Sequence, residues 1–240
     1  MAKGKEILVP AVYRPLYESP CRYRSILYYG GRSGGKSTEV ARAMLARAAA
    51  YPGTRIACLR EFQASIKNSV KLLLDDQIEA LGLAGFDSTR EEIRHKNGSL
   101  FTFHGMHLNY DSLKGLESYD VAWIEEGQSV SAESLKWLIP TIRKAGSFIV
   151  ITMNRYSERE PAWVRFQPEV AQRALVRRVL YTDNKHLSRE VLEEADADKL
   201  HRPDEYRHIW LGEPVTQAAS CILSGSDISE AMHGARAFEP

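Results

Sequence analysis

The segment Gly30-Gly31-Arg32-Ser33-Gly34-Gly35-Lys36-Ser37 concentrates more chemistry than any other stretch of the chain, and its spacing fits the pattern G-x-x-x-x-G-K-[S/T]. Glycines in such a loop leave backbone N–H groups free to wrap a phosphate, and a helix starting at Lys36 aims its positive end at the same anion. In that geometry Lys36 reaches the outer phosphates of a nucleoside triphosphate, and the Ser37 hydroxyl ligates Mg²⁺. Thr38 is grouped with the loop as part of the nucleotide site. The expected ligands are ATP and Mg²⁺.

Hydrolysis also needs carboxylates at the end of a neighbouring strand, one working through the metal and one orienting the attacking water. Glu125 and Glu126 follow the apolar run Val121-Ala122-Trp123-Ile124 and meet that requirement. Glu125 closes the strand and is assigned to the metal; Glu126 is assigned to the water. Three arginines are candidates for neutralising charge that develops on the transferred phosphoryl group: Arg32 inside the loop, Arg60 at a strand end, and Arg143 after a helix. Arg32, Lys36 and Glu126 form the expected catalytic set, and Arg60 and Arg143 are possible fingers or sensors.

Other groupings read as ordinary surface. His104 and His107 are three residues apart with Gly105 between them and no third ligand nearby, a poor metal site. The acidic run from Glu193 to Asp198 falls on a polar helix face, not at strand ends, so no nuclease centre is visible in it. Arg165, Arg173, Arg177 and Arg178 are a basic set able to touch DNA phosphates.

The elements that must hold these residues are legible in outline. Residues 25–29 are rich in strand formers and run into the glycines, with helical periodicity following over 36–50. Residues 55–60 read as a second buried strand and 65–81 as a helix. Asn97-Gly98, flanked by apolar alternation, predicts a β-hairpin insertion near 92–104. Further strands are expected at 121–124, 148–153 and 177–181, with helices at 131–142, capped by Ser131, and 188–199, capped by Ser188. The alternation points to an α/β fold with a mostly parallel sheet flanked by helices.

The chain has 240 residues, 44% of them hydrophobic, enough for one main domain. Its net charge is only +1, but residues 1–60 carry eleven Lys/Arg against three Glu, as an anion-holding region would. Three widely spaced cysteines, Cys21, Cys58 and Cys221, fit neither a disulfide framework nor paired zinc ligands, which suits a reducing compartment. No apolar run approaches a membrane span. From Thr216 on, small and polar residues dominate, so the expected division is a domain over 1–215 and a linker, or the start of another domain, over 216–240.

Taken together and in order, several blocks resemble the large terminase subunit of tailed bacteriophages over residues 14–215. They are the glycine loop, Ala57-Cys58-Leu59-Arg60-Glu61 with Ser65 and Ser69 beyond it, Trp123-Ile124-Glu125-Glu126, Leu138-Ile139-Pro140-Thr141-Ile142-Arg143-Lys144, Thr152-Met153-Asn154, Tyr181-Thr182-Asp183-Asn184, and Tyr206 through Glu213. The resemblance implies a P-loop NTPase core of the additional-strand type that drives double-stranded DNA through a portal protein into a procapsid. It implies a small terminase subunit as partner, a ring oligomer on the portal, and the host cell cytoplasm as the place of work. It also implies that Thr152, Met153 and Asn154 couple the γ-phosphate to motion and that Arg32 acts in cis. Family members carry a C-terminal nuclease, which is not expected in this chain. Two positions depart from the pattern: Glu125 stands where many P-loop motors have Asp, and Arg155 where relatives often have proline. A small-molecule kinase or a non-motor ATPase is the alternative; a GTPase is disfavoured because Asn154-Arg155-Tyr156-Ser157 is not a guanine-reading segment.

Overall fold

The computed structural model describes residues 8–62, 66–107 and 113–215. The expected linker at 216–240, with Cys221, and the predicted helix start at Ser65 lie outside the described residues.

Among the described residues, eight strands form one sheet in the order β3-β4-β5-β2-β6-β7-β1-β8. The strands are β1 (Ser25–Tyr29), β2 (Arg55–Arg60), β3 (Phe86–Ser88), β4 (Glu92–His95), β5 (Leu100–Gly105), β6 (Val121–Ile124), β7 (Phe148–Met153) and β8 (Ala174–Arg178). The six strands from β5 to β8 along the sheet are parallel. Because all six point the same way, residues that follow β1, β2, β6 and β7 emerge on one edge. This is why Gly30, Glu125 and Asn154, far apart in sequence, meet there. β7 lies between the loop strand β1 and the acid strand β6, which is the additional-strand arrangement.

Both faces of the central strands are buried, as a parallel sheet requires. Ile26 and Tyr28 pack on one side with Val40, Met44 and Leu45 of α1 (Lys36–Ala50). Leu27 faces the other side with Leu135 and Leu138 of α3 (Ala132–Thr141). The remaining helices are α2 (Leu72–Leu81), preceded by a π-helical turn at Lys67–Lys71, α4 (Pro161–Arg165), α5 (Arg189–His201) and α6 (Pro203–Ile209). The Ser131 and Ser188 caps form as expected, accepting from the N–H of Ser134 at 3.1 Å and of Val191 at 3.4 Å. Among the described residues, no helix is long and apolar enough to cross a membrane.

Three expectations need correction. The hairpin at Asn97-Gly98 forms, but it is not an insertion: β5 pairs in parallel with β2 from Leu100 to Gly105, and β3 extends the sheet beyond β4. The strand expected at 177–181 starts earlier, at Ala174, and gives way to a 3₁₀ turn at Tyr181–Asp183. As an edge strand, β8 buries only Leu175, so it lacks a continuous apolar signal. The helix expected over 65–81 is helical from Ile66 on, but takes the π form over Lys67–Lys71 before the α form from Leu72.

Candidate functional site

β1 ends at Tyr29, and the chain turns through Gly30 to Gly35 into α1. Gly35, the residue before the helix, has φ +76°, where a β-carbon is disfavoured. The turn is braced from several sides. Tyr13 Oη donates to Gly34 O at 3.1 Å, Asn184 Nδ2 donates to Ser33 O at 2.9 Å, and Arg32 N–H donates to Ile209 O at 2.7 Å.

Lys36 folds over this turn, donating to Gly30 O at 3.3 Å and to Gly31 O. Burial pushes its ammonium down to about 8, against the opposing pull of Glu125. A cation so poorly hydrated gains strongly from an anion in the loop.

At the next residue, Ser37 Oγ donates to Glu125 Oε1 at 2.5 Å, and Thr152 Oγ1 donates to the same carboxylate. Thr152 in turn accepts from Trp123 Nε1 at 3.4 Å. Burial raises the pKa of Glu125, while the hydroxyls of Ser37 and Thr152 and the charge of Arg60 pull it back and Glu126 adds to the rise. A carboxylate and hydroxyl oxygens in a desolvated corner are the hard donors Mg²⁺ prefers, and a divalent cation there would relieve the buried charge. The residues present fit the ion.

Glu126, the next residue, leaves the strand in the left-handed conformation, φ 56° and ψ 50°, at a cost of about 1–2 kcal/mol for a non-glycine residue. Its carboxylate is half exposed and pairs with Arg60. Gln128 Oε1 accepts from Asn154 N–H at 3.1 Å, and Asn154 Oδ1 is buried with no hydrogen-bond partner. Arg155 is buried with its guanidinium 3.6 Å from the Trp163 ring centre, so the non-proline residue is accommodated by stacking.

A cleft of about 460 Å³ is lined by Arg32 through Thr38, both glutamates, Gln128 and Thr152 through Asn154. Its far wall is Asn184, His186, Leu187, Ser188 and Val191; the sequence marks Ser188 only as a helix cap and points to none of the five, nor to Gln128 or Tyr13, as part of the site. For Asn184 the sequence signal was its place in a recognised block; for the others there was none.

Arg60 and Arg143 part company. Arg60 stands beside Glu126 but does not line the cleft. Arg143 is not brought to the site: it pairs with Glu117, and its neighbour Lys144 pairs with Asp120, which precedes β6, whereas Glu125 follows it. α3 runs back along the sheet and delivers Arg143 to the opposite edge. His104 contacts Thr102 at 2.8 Å, while His107 lies 3.4 Å from Glu61, so they do not converge. Arg165, Arg173, Arg177 and Arg178 are exposed, and Arg178 donates to Leu211 O.

The chain is similar to the large terminase of the thermophilic bacteriophage D6E, with 12% identity and a TM-score of 0.71, covering 87% of this chain and 54% of that one. A D6E structure in complex with ATP-gamma-S matches with 11% identity and a TM-score of 0.67, over 85% of this chain and 52% of that one. The ATPase domain of the Thermus phage P74-26 large terminase matches with 14% identity and a TM-score of 0.60, over 87% of this chain and 94% of that one. At these identities the likeness is one of fold, and this chain spans about half the length of the D6E protein. No curated protein matches the sequence. The sequence profile for the phage terminase large subunit matches residues 22–213, which include every cleft residue named above. The chain therefore belongs to the phage terminase large subunit family.

Proposed function

We propose that this chain hydrolyses ATP to drive double-stranded DNA through a portal protein into a procapsid, in a ring that works with a small terminase subunit in the host cytoplasm. The observation that carries the catalytic part is the convergence of Ser37, Glu125 and Thr152 at the foot of the glycine loop, with Glu126 beside them. The D6E complex with ATP-gamma-S supports the choice of nucleotide.

In this reading, the loop N–H groups and the α1 N-terminus hold the β- and γ-phosphates. Lys36 turns from its own loop carbonyls to the phosphate oxygens, exchanging backbone acceptors for charged ones. Ser37 and Glu125 hold Mg²⁺, which when bound neutralises charge on the phosphate oxygens. Glu126 accepts a hydrogen bond from a water molecule and aligns it with the γ-phosphorus, taking its proton as the bond to the ADP oxygen breaks. Arg32, exposed at the cleft mouth, reaches the same phosphoryl group in cis. Thr152 ties the acid strand to β7, so a change at Glu125 is felt by Met153 and Asn154, the coupling segment.

ATP turnover by Glu126→Ala is expected to fall at least ~10²-fold, the loss of a positioned base. Turnover equal to that of the unsubstituted protein removes Glu126 from the mechanism.

A further inference from the structure

A groove separate from the nucleotide cleft runs along α3. Leu135, Ile139 and Pro140 form one side of it, and Pro161 and Val164 of α4 with Val170 beyond it form the other. It encloses about 730 Å³, and Val164 and Val170 are left 50% and 55% exposed along it. Aliphatic side chains open to solvent along one channel mark an interaction surface. At its inner end the groove meets a second cavity of about 270 Å³, which shares Ile139, Arg165 and Val170 with it and reaches Ser25 at the start of β1. Ser25 is 3% exposed, and its Oγ is buried with no hydrogen-bond partner. Such a hydroxyl carries a desolvation cost that a polar atom of an occupant would remove.

The chain itself arrives at the outer end. Val215, the last described residue, donates its N–H to Tyr156 O at 3.0 Å, and Pro161, five residues after Tyr156, lines the groove. Five residues span at most about 18 Å, whereas the six from Val215 to Cys221 extend to about 20 Å, so Cys221 is able to reach the groove wall. Cys221-Ile222-Leu223 is the most apolar stretch beyond Val215. Charge agrees with this match. Residues 216–240 carry Asp227, Glu230 and Glu239 against the single Arg236, while Lys136, Arg159 and Arg165 border the groove. Neither Arg159 nor Arg165 has a carboxylate partner among the described residues. Asp227, four residues past Leu223, would bring an acid to the inner end, where Arg165 and the Ser25 hydroxyl stand.

We propose that the segment beginning at Thr216 folds back into this groove, with Ile222 and Leu223 against Val164 and Val170 and with Asp227 toward Arg165. The chain thereby covers the apolar face between α3 and α4 with its own residues. α4 begins seven residues after Asn154, so a segment seated there is attached to the part of the sheet that ends at the nucleotide cleft.

The test is disulfide trapping in the full chain. Val164→Cys puts an exposed thiol on the groove wall, and mild oxidation is expected to join it to Cys221 within one molecule in most of the protein, read by mass mapping of peptides. Leu200→Cys, at a position 75% exposed on α5, is the control and is expected to join Cys221 at least ~10-fold more slowly. Adding Ile222→Asp and Leu223→Asp to the Val164→Cys chain is expected to slow the bridge at least ~10-fold, because two aliphatic side chains no longer hold the segment in place. Absence of a bridge from position 164 overturns the proposal. Equal rates at positions 164 and 200 also overturn it, since the segment would then visit the whole surface. A bridge between two molecules that grows with protein concentration overturns it in favour of a second copy as the occupant. A bridge that the two aspartates leave unchanged is equally contrary, because the apolar run then holds nothing. If Val164→Cys fails to fold, Val170→Cys on the same wall carries the same comparisons.

Discussion

The two walls of the cleft are built differently. The acid wall consists of strand ends, in which Glu125, Glu126 and Thr152 directly follow or belong to β6 and β7, whose residues are fully ladder-bonded and buried on both faces. The opposite wall, from Asn184 to Val191 with α5 and α6 behind it, rests on a separate small cluster centred on Tyr181, Ala195 and Trp210. That wall meets the glycine loop by backbone contact. Ile209 O accepts from Arg32 N–H, and the turn after α6 lies so close that a β-carbon on Gly212 would come within 2.2 Å of Gly30. It also meets the segment after Asn154, since Val215 N–H donates to Tyr156 O at 3.0 Å and Tyr156 packs on His208 at 5.1 Å. The difference teaches how labour is divided. Groups that must hold a fixed place sit on the sheet, whereas the opposite wall has its own small apolar cluster and joins the loop through hydrogen bonds and close backbone contact.

The sharpest way to break this contrast is at the contact itself. Gly212 has φ +67° and no space for a side chain, so Gly212→Ala is expected to destabilise the chain by about 1–3 kcal/mol and to weaken nucleotide binding by displacing Gly30 and Gly31. Gly146 also has a positive φ, +79°, but faces open space, so Gly146→Ala is the control: a smaller loss of stability and normal binding. Thermal melting and a fluorescent nucleotide analogue read both; equal effects would mean that the close approach of the two segments carries no weight.

A milder perturbation is Tyr13→Phe, which removes the 3.1 Å bond that reaches Gly34 O from the 3₁₀ turn Ala11–Tyr17. A buried carbonyl losing its donor costs about 1 kcal/mol, or roughly fivefold in nucleotide affinity if the loop's shape is what suffers. Unchanged affinity would show that the loop is held adequately without this brace.

The smallest effect is expected at the outer wall's own anchor. Asp198 is buried, and hydrogen bonds from Trp210 Nε1 and from Arg202, at 2.8 Å each for the indole and Nε, hold its carboxyl below the ordinary 3.8. A group whose pKa is lowered by folding contributes stability above its unfolded value, and that contribution is lost as pH falls through the folded one. Asp198→Asn should therefore be less stable than the unsubstituted chain near neutrality, with the gap narrowing as pH falls below 3.8. A gap independent of pH would assign the loss to packing in place of charge.

What was legible in the sequence follows the same contrast. β1, β2, β6, β7 and α1 are legible with their observed bounds because each is a short run buried over most or all of its length or a strong helical period. From those elements alone, the P-loop and the strand-end acids could be located. Tyr13 and Asn184 escaped because each acts through one bond to a loop carbonyl, across 21 and 151 residues of chain, and no local pattern records such a bond. α6 and its turn lie in one of the blocks that carry the resemblance, but their structure is not legible there, because a short helix with no buried residue has no apolar stripe. Arg143 lies away from this chain's own cleft for a geometric reason: closeness in sequence to a helix after the acids does not say toward which edge of the sheet the helix runs.

In the proposed function, the strand-end acids turn over what the glycine loop holds. The direct measurement is phosphate release from ATP with Mg²⁺ by the Glu125→Gln, Glu126→Gln double variant, with nucleotide binding followed on the same samples. The double variant is expected to bind ATP within a few-fold of the unsubstituted chain and to release at least ~10²-fold less phosphate. Release at the unsubstituted rate would contradict the proposed function.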